Sequence, residues 1–309
     1  MCRQILILLL IVSFGICAAG AEQTWRLKDG QELVDVSSQA DGGYVLAVAE
    51  LKQFVTAGQS KKAKKAFAHL KQNYPDTVGP DTELFQKAEM LYAKRKFFKA
   101  FAQYDNFMDA FPQSALNDAA LERQYEIARA FLYGKKKTFF GVIKFSAHEE
   151  AAGMVEKIAE RTGDAPIAKK SMVTLAQSYE ARKEFAEAFY SWSDVSTRWP
   201  SEQIGADAIL GMAGNLHASY KGPKYDASML EASRDYYQEY TVKYPAQADE
   251  QGIAAIIDEI NAQAADKQLD IALYYERTSS ITAANLYFQK IVDERPGSVA
   301  AKVAAEKIK

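Results

Sequence analysis

Residues 97–112 read FFKAFAQYDNFMDAFP, and the spacing inside this stretch predicts how the chain folds. Ala100, Tyr104 and Phe107 stand twelve, eight and five residues before Pro112. Positions separated by four and then three residues lie on one face of an α-helix, and a proline just beyond the last turn ends the helix. The stretch is therefore predicted to be a helix that buries a small, an aromatic and an apolar residue.

The same spacing recurs along the chain. Five prolines mark it: Pro75, Pro112, Pro200, Pro245 and Pro296. Small residues stand twelve positions earlier: Ala63, Ala100, Ala188, Ser233 and Ala284. Aromatic residues stand eight positions earlier: Phe67, Tyr104, Trp192, Tyr237 and Phe288. Apolar residues stand five positions earlier: Leu70, Phe107, Val195, Tyr240 and Ile291. A sixth unit keeps the spacing with glycine at its end: Ala151, Val155, Ile158 and Gly163. The pattern is an internal repeat.

Each predicted helix is the second of a helical hairpin, because a periodic first helix precedes it. The predicted first helices span 44–57, 82–95, 117–133, 167–182, 205–220 and 264–277. Small residues allow helices to approach closely, and aromatic residues fill the gaps between stacked units. This is the tetratricopeptide (TPR) pattern with several units longer than usual. The predicted fold is all-α, a right-handed superhelical array of about six TPR-like helical hairpins.

The pattern also suggests how the chain is divided. We expect N-terminal TPR-like units over 41–163 and C-terminal units over 164–309. Residues 246–264 add a helical stretch before the last unit, and residues 298–309 are predicted to form a capping helix. Before the array, residues 22–40 form an extended arm or a short hairpin about Asp29-Gly30.

Residues 1–21 are typical of a cleaved secretory signal peptide, with Arg3, an apolar run and the small residues Ala19-Gly20-Ala21. The run is shorter than a transmembrane helix requires. Cleavage removes Cys2 and Cys17, so we expect no disulfide framework. Cys17 also raises the alternative of a bacterial lipid anchor. The bulky Ile16 before it disfavours lipidation, so we expect cleavage after Ala21.

Composition and motifs argue against several classes of function. The formal charge of −2 and an isoelectric point near 6.0 give no general attraction for nucleic acid. No nucleotide-binding, hydrolase or zinc-protease motif occurs. His69, His148 and His217 fall in different units, and we interpret His148 with its acidic neighbours as solvated charges at a helix start. We therefore predict a non-enzymatic protein without cofactor or metal.

Two basic clusters need separate interpretation. Lys61, Lys62, Lys64 and Lys65 alternate with alanines and indicate a solvated helix face. The second cluster lies in a predicted loop at 134–143, beside Phe139 and Phe140. Those two rings either tuck under the array or face a partner.

Finer features resemble the BamD family of outer membrane protein assembly factors, over most of residues 41–309. The matching stretches are Phe111-Pro112-Gln113-Ser114, Phe131-Leu132-Tyr133-Gly134-Lys135, Tyr220-Lys221-Gly222-Pro223-Lys224-Tyr225-Asp226 with Leu230-Glu231-Ala232, Ile271-Ala272-Leu273-Tyr274-Tyr275-Glu276-Arg277, Ala283-Ala284 and Arg295-Pro296.

The resemblance implies a scaffold at the periplasmic face of the outer membrane and peripheral to it. Its first repeats would receive unfolded barrel precursors, and its last repeats would dock on the barrel-forming outer-membrane assembly subunit. By matching position, Tyr275 and Arg277 would lie at the docking end. The alternative is a periplasmic TPR adaptor that coordinates cell-wall synthesis with envelope constriction.

Helix phase adds candidates for a peptide groove, since the first helices of a TPR array line its concave side. These candidates are Tyr92, Arg95, Tyr125 and Arg129.

Overall fold

A computed structural model describes residues 25–28, 32–35, 40–139 and 143–308, with side chains from residue 43 onward except those of 137–145. The first part of this region is a two-stranded hairpin followed by four helices. They are β1 (Trp25–Lys28), β2 (Glu32–Asp35), α1 (Ala40–Thr56), α2 (Ser60–Asn73), α3 (Pro80–Ala93) and α4 (Phe97–Ala110), with a 3-10 turn at Pro75–Thr77.

The remainder is helical apart from one short strand pair. Its elements are α5 (Asn117–Leu132), β3 (Lys137–Phe139), β4 (Ile143–Phe145), α6 (His148–Thr162), α7 (Pro166–Ala181), α8 (Phe185–Arg198), α9 (Gln203–Ser219), α10 (Ser228–Lys243), α11 (Pro245–Glu250), α12 (Ile253–Arg277), α13 (Ile281–Glu294) and α14 (Val299–Lys307).

Contacts divide the chain into two compact units, Met1–Leu116 and Asn117–Lys309. In the first unit, α1 packs on α2 and α3 packs on α4. In the second, the consecutive pairs are α5–α6, α7–α8, α9–α10 and α12–α13. Six hairpins are therefore present in the described part of the chain, and the prediction of an all-α array of TPR-like hairpins is confirmed. The division expected after residue 163 falls inside the second unit, between α6 and α7.

The repeat positions are buried in every unit, as the spacing predicts. The small residues are inaccessible to solvent or nearly so: Ala63, Ala100, Ala151, Ala188, Ser233 and Ala284. The residues four positions later are buried as well: Phe67, Tyr104, Val155, Trp192, Tyr237 and Phe288. The third set completes the stripe: Leu70, Phe107, Ile158, Val195, Tyr240 and Ile291. These three residues per unit form the hydrophobic face that joins neighbouring helices.

The residue before each repeat proline has one shared backbone conformation. Tyr74, Phe111, Trp199, Tyr244 and Arg295 have φ between −141° and −131° and ψ between 53° and 66°. Their N–H groups still donate to the carbonyl four residues back, as Phe111 does to Phe107 at 2.9 Å. A following proline disfavours the helical conformation, so each helix stops at this point.

Three-residue turns join the two helices of four hairpins and follow one design. Their middle residues are left-handed: Gly58, Arg95, Lys183 and Ser279, with φ between 59° and 74°. In the second turn, Arg95 N–H donates to Tyr92 O at 2.8 Å and Lys96 N–H donates to Leu91 O at 2.9 Å. This pairing is a Schellman cap, in which glycine is the usual left-handed residue. Only one of the four turns uses glycine.

The start of α12 and the two strand pairs differ in detail from the sequence predictions. Helix α12 begins at Ile253, earlier than the predicted 264, because no glycine or proline interrupts 253–277. The predicted loop at 134–143 contains β3, which pairs with β4 through Phe139 and Ile143, in keeping with its Thr, Phe, Val and Ile content. Strands β1 and β2 pair with Lys28 opposite Glu32, so three residues separate the paired ends. A turn made by Asp29-Gly30 alone would have had two.

The C-terminal cap agrees with its prediction. Ser298 is the N-cap of α14 and accepts a hydrogen bond from Ala301 N–H at 3.0 Å. Lys307 pairs with Glu276 at 2.8 Å and ties α14 to the end of α12. Together these contacts hold the short helix over the last hairpin.

Candidate interaction surfaces

Tyr92 and Arg95 lie in the first unit and play structural roles. The Tyr92 ring is only 8% exposed and meets the Phe97 ring edge-on at 5.2 Å. Arg95 is exposed, but its backbone is the left-handed residue of the α3–α4 cap. Its guanidinium also lies against Gly58, where an added Cβ would come within 2.6 Å of Arg95 Nε. Of this pair, only the arginine offers a free face to a ligand.

Tyr125 and Arg129 lie on α5 in the second unit. Tyr125 is 7% exposed, and its hydroxyl is hydrogen-bonded to Thr174 Oγ1 at 3.0 Å. Lys170 Nζ covers the ring at 4.1 Å from its centroid. Arg129 is exposed. Helix phase therefore identified the side of α5 that faces α7, but it could not show that a lysine covers the tyrosine ring.

Tyr275 and Arg277 lie at the end of α12, on the last hairpin. The Tyr275 ring stacks on Tyr287 of α13, with centroids 5.7 Å apart and planes at 17°. It also meets the Tyr274 ring edge-on at 5.6 Å. Tyr274 is 55% exposed, and Arg277 is exposed beside it. We call Tyr274, Tyr275 and Tyr287 the tyrosine cluster.

The two alternatives for Phe139 and Phe140 concern side chains that lie outside the described residues. The backbone of Phe139 lies in β3, whereas Phe140 and the side chains of both fall outside the described residues. The flanking Tyr133 is exposed, and Lys135 Nζ lies 6.0 Å from the centroid of the Phe131 ring.

A polar network connects three helices in the second unit. Glu180 Oε1 on α7 accepts hydrogen bonds from Trp192 Nε1 on α8 and from Asn215 Nδ2 on α9, each at 2.7 Å. Asn215 also donates to the carbonyl of Gly211 at 2.7 Å. Each buried polar group here has a partner, which is the condition for such a network to stabilise a core.

The prediction that His148 is a solvated charge is wrong. The side chain is 4% exposed, and its Nε2 lies 3.0 Å from Ser178 Oγ. Ser178 uses its own proton to bond Leu175 O at 2.7 Å, so His148 Nε2 is the donor. Burial and, secondarily, the charge of Arg182 lower the pKa of His148, against smaller opposing effects from Glu184 and Glu149. His148 is therefore a neutral core residue.

The described residues give little support for a metal site or for a membrane-spanning helix. Within them, no group of three or more histidine, cysteine, aspartate or glutamate side chains is placed to hold a metal ion. Among the helices described, none has both the length and the apolar character that crossing a membrane requires. Lys61, Lys62, Lys64 and Lys65 are all exposed, which confirms the solvated helix face.

Sequence reasoning missed two exposed tyrosines that the structure makes prominent. Tyr274 belongs to the tyrosine cluster, and Tyr190 on α8 is 68% exposed. Both lie off the buried stripe of their helices. An aromatic residue at an off-stripe position was the available signal, since such a residue does not belong to the buried face of its helix.

Comparison with known families agrees with this architecture. A tetratricopeptide repeat model matches residues 43–77, which contain α2 and most of α1. A comparison with curated proteins finds no match. The repeat and the all-helical structure fit a TPR protein, and TPR repeats indicate a scaffold for protein–protein interaction. TPR repeats also suggest protein partners, and TPR proteins are generally non-catalytic scaffolds.

Proposed function

We propose that the chain is a periplasmic, non-enzymatic scaffold, resembling BamD, that assists the assembly of β-barrel proteins into the outer membrane. The signal-like segment at 1–21 and the resemblance over 41–309 support this role. The observation that carries it is the tyrosine cluster on the last hairpin, the end of the array at which the resemblance puts the docking of the barrel-forming subunit.

The tyrosine cluster has the character of an interaction surface. Aromatic residues and arginine are enriched where proteins bind each other, and an aromatic ring buries much surface at low entropic cost. Tyr274 is exposed, and stacking on Tyr287 holds Tyr275 in place before any partner arrives. Arg277 adds a cation beside the rings. The Lys307–Glu276 pair connects the adjacent end of α12 to α14.

The first repeats would receive the unfolded barrel precursors. There Arg95 and Arg129 are exposed while Tyr92 and Tyr125 are buried. Contact with a precursor would therefore depend on the guanidinium groups more than on the tyrosine rings.

A second candidate is a periplasmic adaptor that coordinates cell-wall synthesis with envelope constriction. The structure contains six hairpins within its described residues, one more than the five repeats of BamD-like proteins, and this difference counts against strict membership of that family.

Cross-linking in the native cells tests both candidates. The tagged protein would be mildly cross-linked and purified, and mass spectrometry would identify its partners and its own N-terminus. Recovery of a barrel-forming assembly subunit supports the first proposal, and recovery of cell-wall enzymes without that subunit replaces it with the second. A free Glu22 supports signal cleavage, and a lipidated Cys17 supports an anchor.

A pair of variants links the result to the tyrosine cluster. Tyr274→Ala/Arg277→Ala removes two exposed side chains at the cluster, and Val242→Ala/Lys243→Ala removes an exposed apolar side chain and a cation on α10, outside every stretch that carries the resemblance. We expect the first variant to lower recovery of the subunit about tenfold, as loss of interface anchors does. Equal losses in both variants would refute the assignment of the docking surface.

A further inference from the structure

A cleft of about 270 Å³ opens in the second unit, lined by residues of α6, α7 and α8. Its floor consists of Met172, Leu175 and Tyr179, which share one face of α7. Val155 and Ala159 of α6 form one wall. Helix α7 packs against both α6 and α8, so the cleft lies along the helices that carry the repeat spacing. The cleft thus combines α7, a first helix of the kind predicted to line the peptide groove, with the second helices α6 and α8.

The rim of the cleft is acidic. Glu156 on α6 and Glu187 and Asp194 on α8 are exposed carboxylates, against one guanidinium, that of Arg198. Opposite charges across an interface select the partner and speed its association. The excess of negative charge therefore favours a cationic occupant.

Aromatic surface accompanies the charge. Tyr190 is 68% exposed and Tyr179 is half-buried, and both rings line the cleft. Burial raises the pKa of the Tyr179 hydroxyl, and the negative charges of Glu184, Glu187, Glu156 and Glu149 raise it further. These carboxylates are thus close enough to Tyr179 to make the ring's surroundings negative.

The size of the cleft selects a single side chain. Clefts that hold small molecules usually occupy about 300–1,000 Å³, so this one is at the lower limit. An arginine or lysine combines an apolar stem with a charged end, which suits a site with ring surface inside and carboxylates at the rim.

We propose that this cleft binds an arginine or lysine side chain of a partner protein, with the stem against Tyr179 and Tyr190 and the charged end at Glu156, Glu187 and Asp194. The inference rests on the proposed scaffold role, because it names the chemistry of one partner contact. It places that contact away from the tyrosine cluster, at an acidic rim formed by the third and fourth hairpins.

Fluorescence anisotropy with the full chain tests the site. The probe is a labelled peptide of alternating leucine and arginine, and its comparison peptide carries uncharged citrulline in place of arginine. We expect the wild type to bind the arginine peptide at least about tenfold more tightly, because citrulline keeps the shape but cannot pair with carboxylates. Raising the salt from about 0.05 M to about 0.5 M should weaken binding, because the rim charges are exposed.

Substitutions locate the binding. Glu156→Gln/Glu187→Gln/Asp194→Asn should weaken binding about tenfold, since exposed ion pairs contribute modestly and three are lost. Tyr190→Ala should weaken it about threefold, because the apolar stem loses the ring surface against which it packs. Glu160→Gln/Glu306→Gln/Asp249→Asn removes the same charge from exposed positions outside the cleft and should change little. Circular dichroism checks that each variant is folded.

Two results would overturn the inference. Equal binding of the citrulline peptide would show that the cleft does not require a cation. An equal effect of the two triple variants would show that the peptide binds through general attraction to an acidic protein and not at the cleft. The cross-linking experiment keeps the two proposals separate. If the wild type recovers the assembly subunit but the peptide does not bind the cleft, only this inference fails. If peptide binding is intact and no envelope partner is recovered, only the scaffold role fails.

Discussion

Gly211→Ala and Gly214→Ala place the same methyl group on α9 three residues apart, and their effects on stability should differ in sign. At Gly214 the nearest atom to the new Cβ is Tyr237 Oη at 3.7 Å, an ordinary contact. Replacing glycine by alanine in a helix interior is favourable by about 0.8–1 kcal/mol. Gly214→Ala should therefore raise the free energy of unfolding by about 1 kcal/mol.

At Gly211 the new Cβ would lie 2.6 Å from three atoms of the Trp192 ring. That ring is buried, and its Nε1 is bonded to Glu180 at 2.7 Å, so it cannot move aside freely. Overpacking of this kind costs about 1–3 kcal/mol. Displacement of the indole would cost about 1 kcal/mol more in lost hydrogen bonding. After the gain in helix propensity, Gly211→Ala should lower the free energy of unfolding by about 1–3 kcal/mol.

Urea unfolding of the full chain, followed by circular dichroism, measures both variants. A third measurement isolates the cause: in a Trp192→Leu background, Gly211→Ala should no longer destabilise, because the indole atoms are gone. If Gly211→Ala and Gly214→Ala shift stability in the same direction, the tight contact between α8 and α9 is not what the structure indicates.

Three further predictions concern single side chains. Lys183→Gly should stabilise the protein by about 0.5–1 kcal/mol, because its left-handed backbone suits glycine, whereas Lys157→Gly within α6 should cost about 1 kcal/mol; urea unfolding compares them. Because burial lowers the pKa of His148 below 6.5, the unfolded state takes up the proton first, so stability should fall as the pH drops below about 6.5 and be unaffected by this group above it. His148→Gln should remove that part of the pH dependence, and an unchanged slope would contradict the burial of a neutral ring. Thr174→Val should cost about 1–2 kcal/mol in thermal unfolding, since it deprives the buried Tyr125 hydroxyl of its partner, and a neutral result would mean that the bond contributes little.

The hairpins were predictable because their determinants are local. A proline prevents the preceding residue from continuing the helix, and the spacing of Ala100, Tyr104 and Phe107 fixes a buried face; both can be read within sixteen residues. The same reasoning located the capping helix after Pro296. Sequence reasoning placed the start of α12 too late. An uninterrupted helical sequence does not show at which residue the packed part of the helix begins.

The candidate interaction surfaces were less predictable, because they depend on side chains that other helices contribute. Helix phase put Tyr125 toward α7 but could not foresee that Lys170 covers it or that Thr174 bonds it. Acidic neighbours suggested a solvated His148, yet Ser178 and Tyr179 from α7 enclose the ring. The left-handed turns at Arg95, Lys183 and Ser279 lack the glycine that would have revealed them.

The hydrogen bonds that Glu180 accepts affect how the array unfolds locally. In most repeat proteins each unit interacts mainly with its neighbours, and terminal units can fray independently. Because one carboxylate accepts bonds from both α8 and α9, opening the fourth hairpin also removes a partner from the fifth. Amide hydrogen exchange should accordingly show α7, α8 and α9 exchanging as one cooperative block, slower than α13 and α14 at the chain end. Glu180→Ala should speed exchange in α7, α8 and α9 together, because Trp192 of α8 still packs against Gly211 of α9.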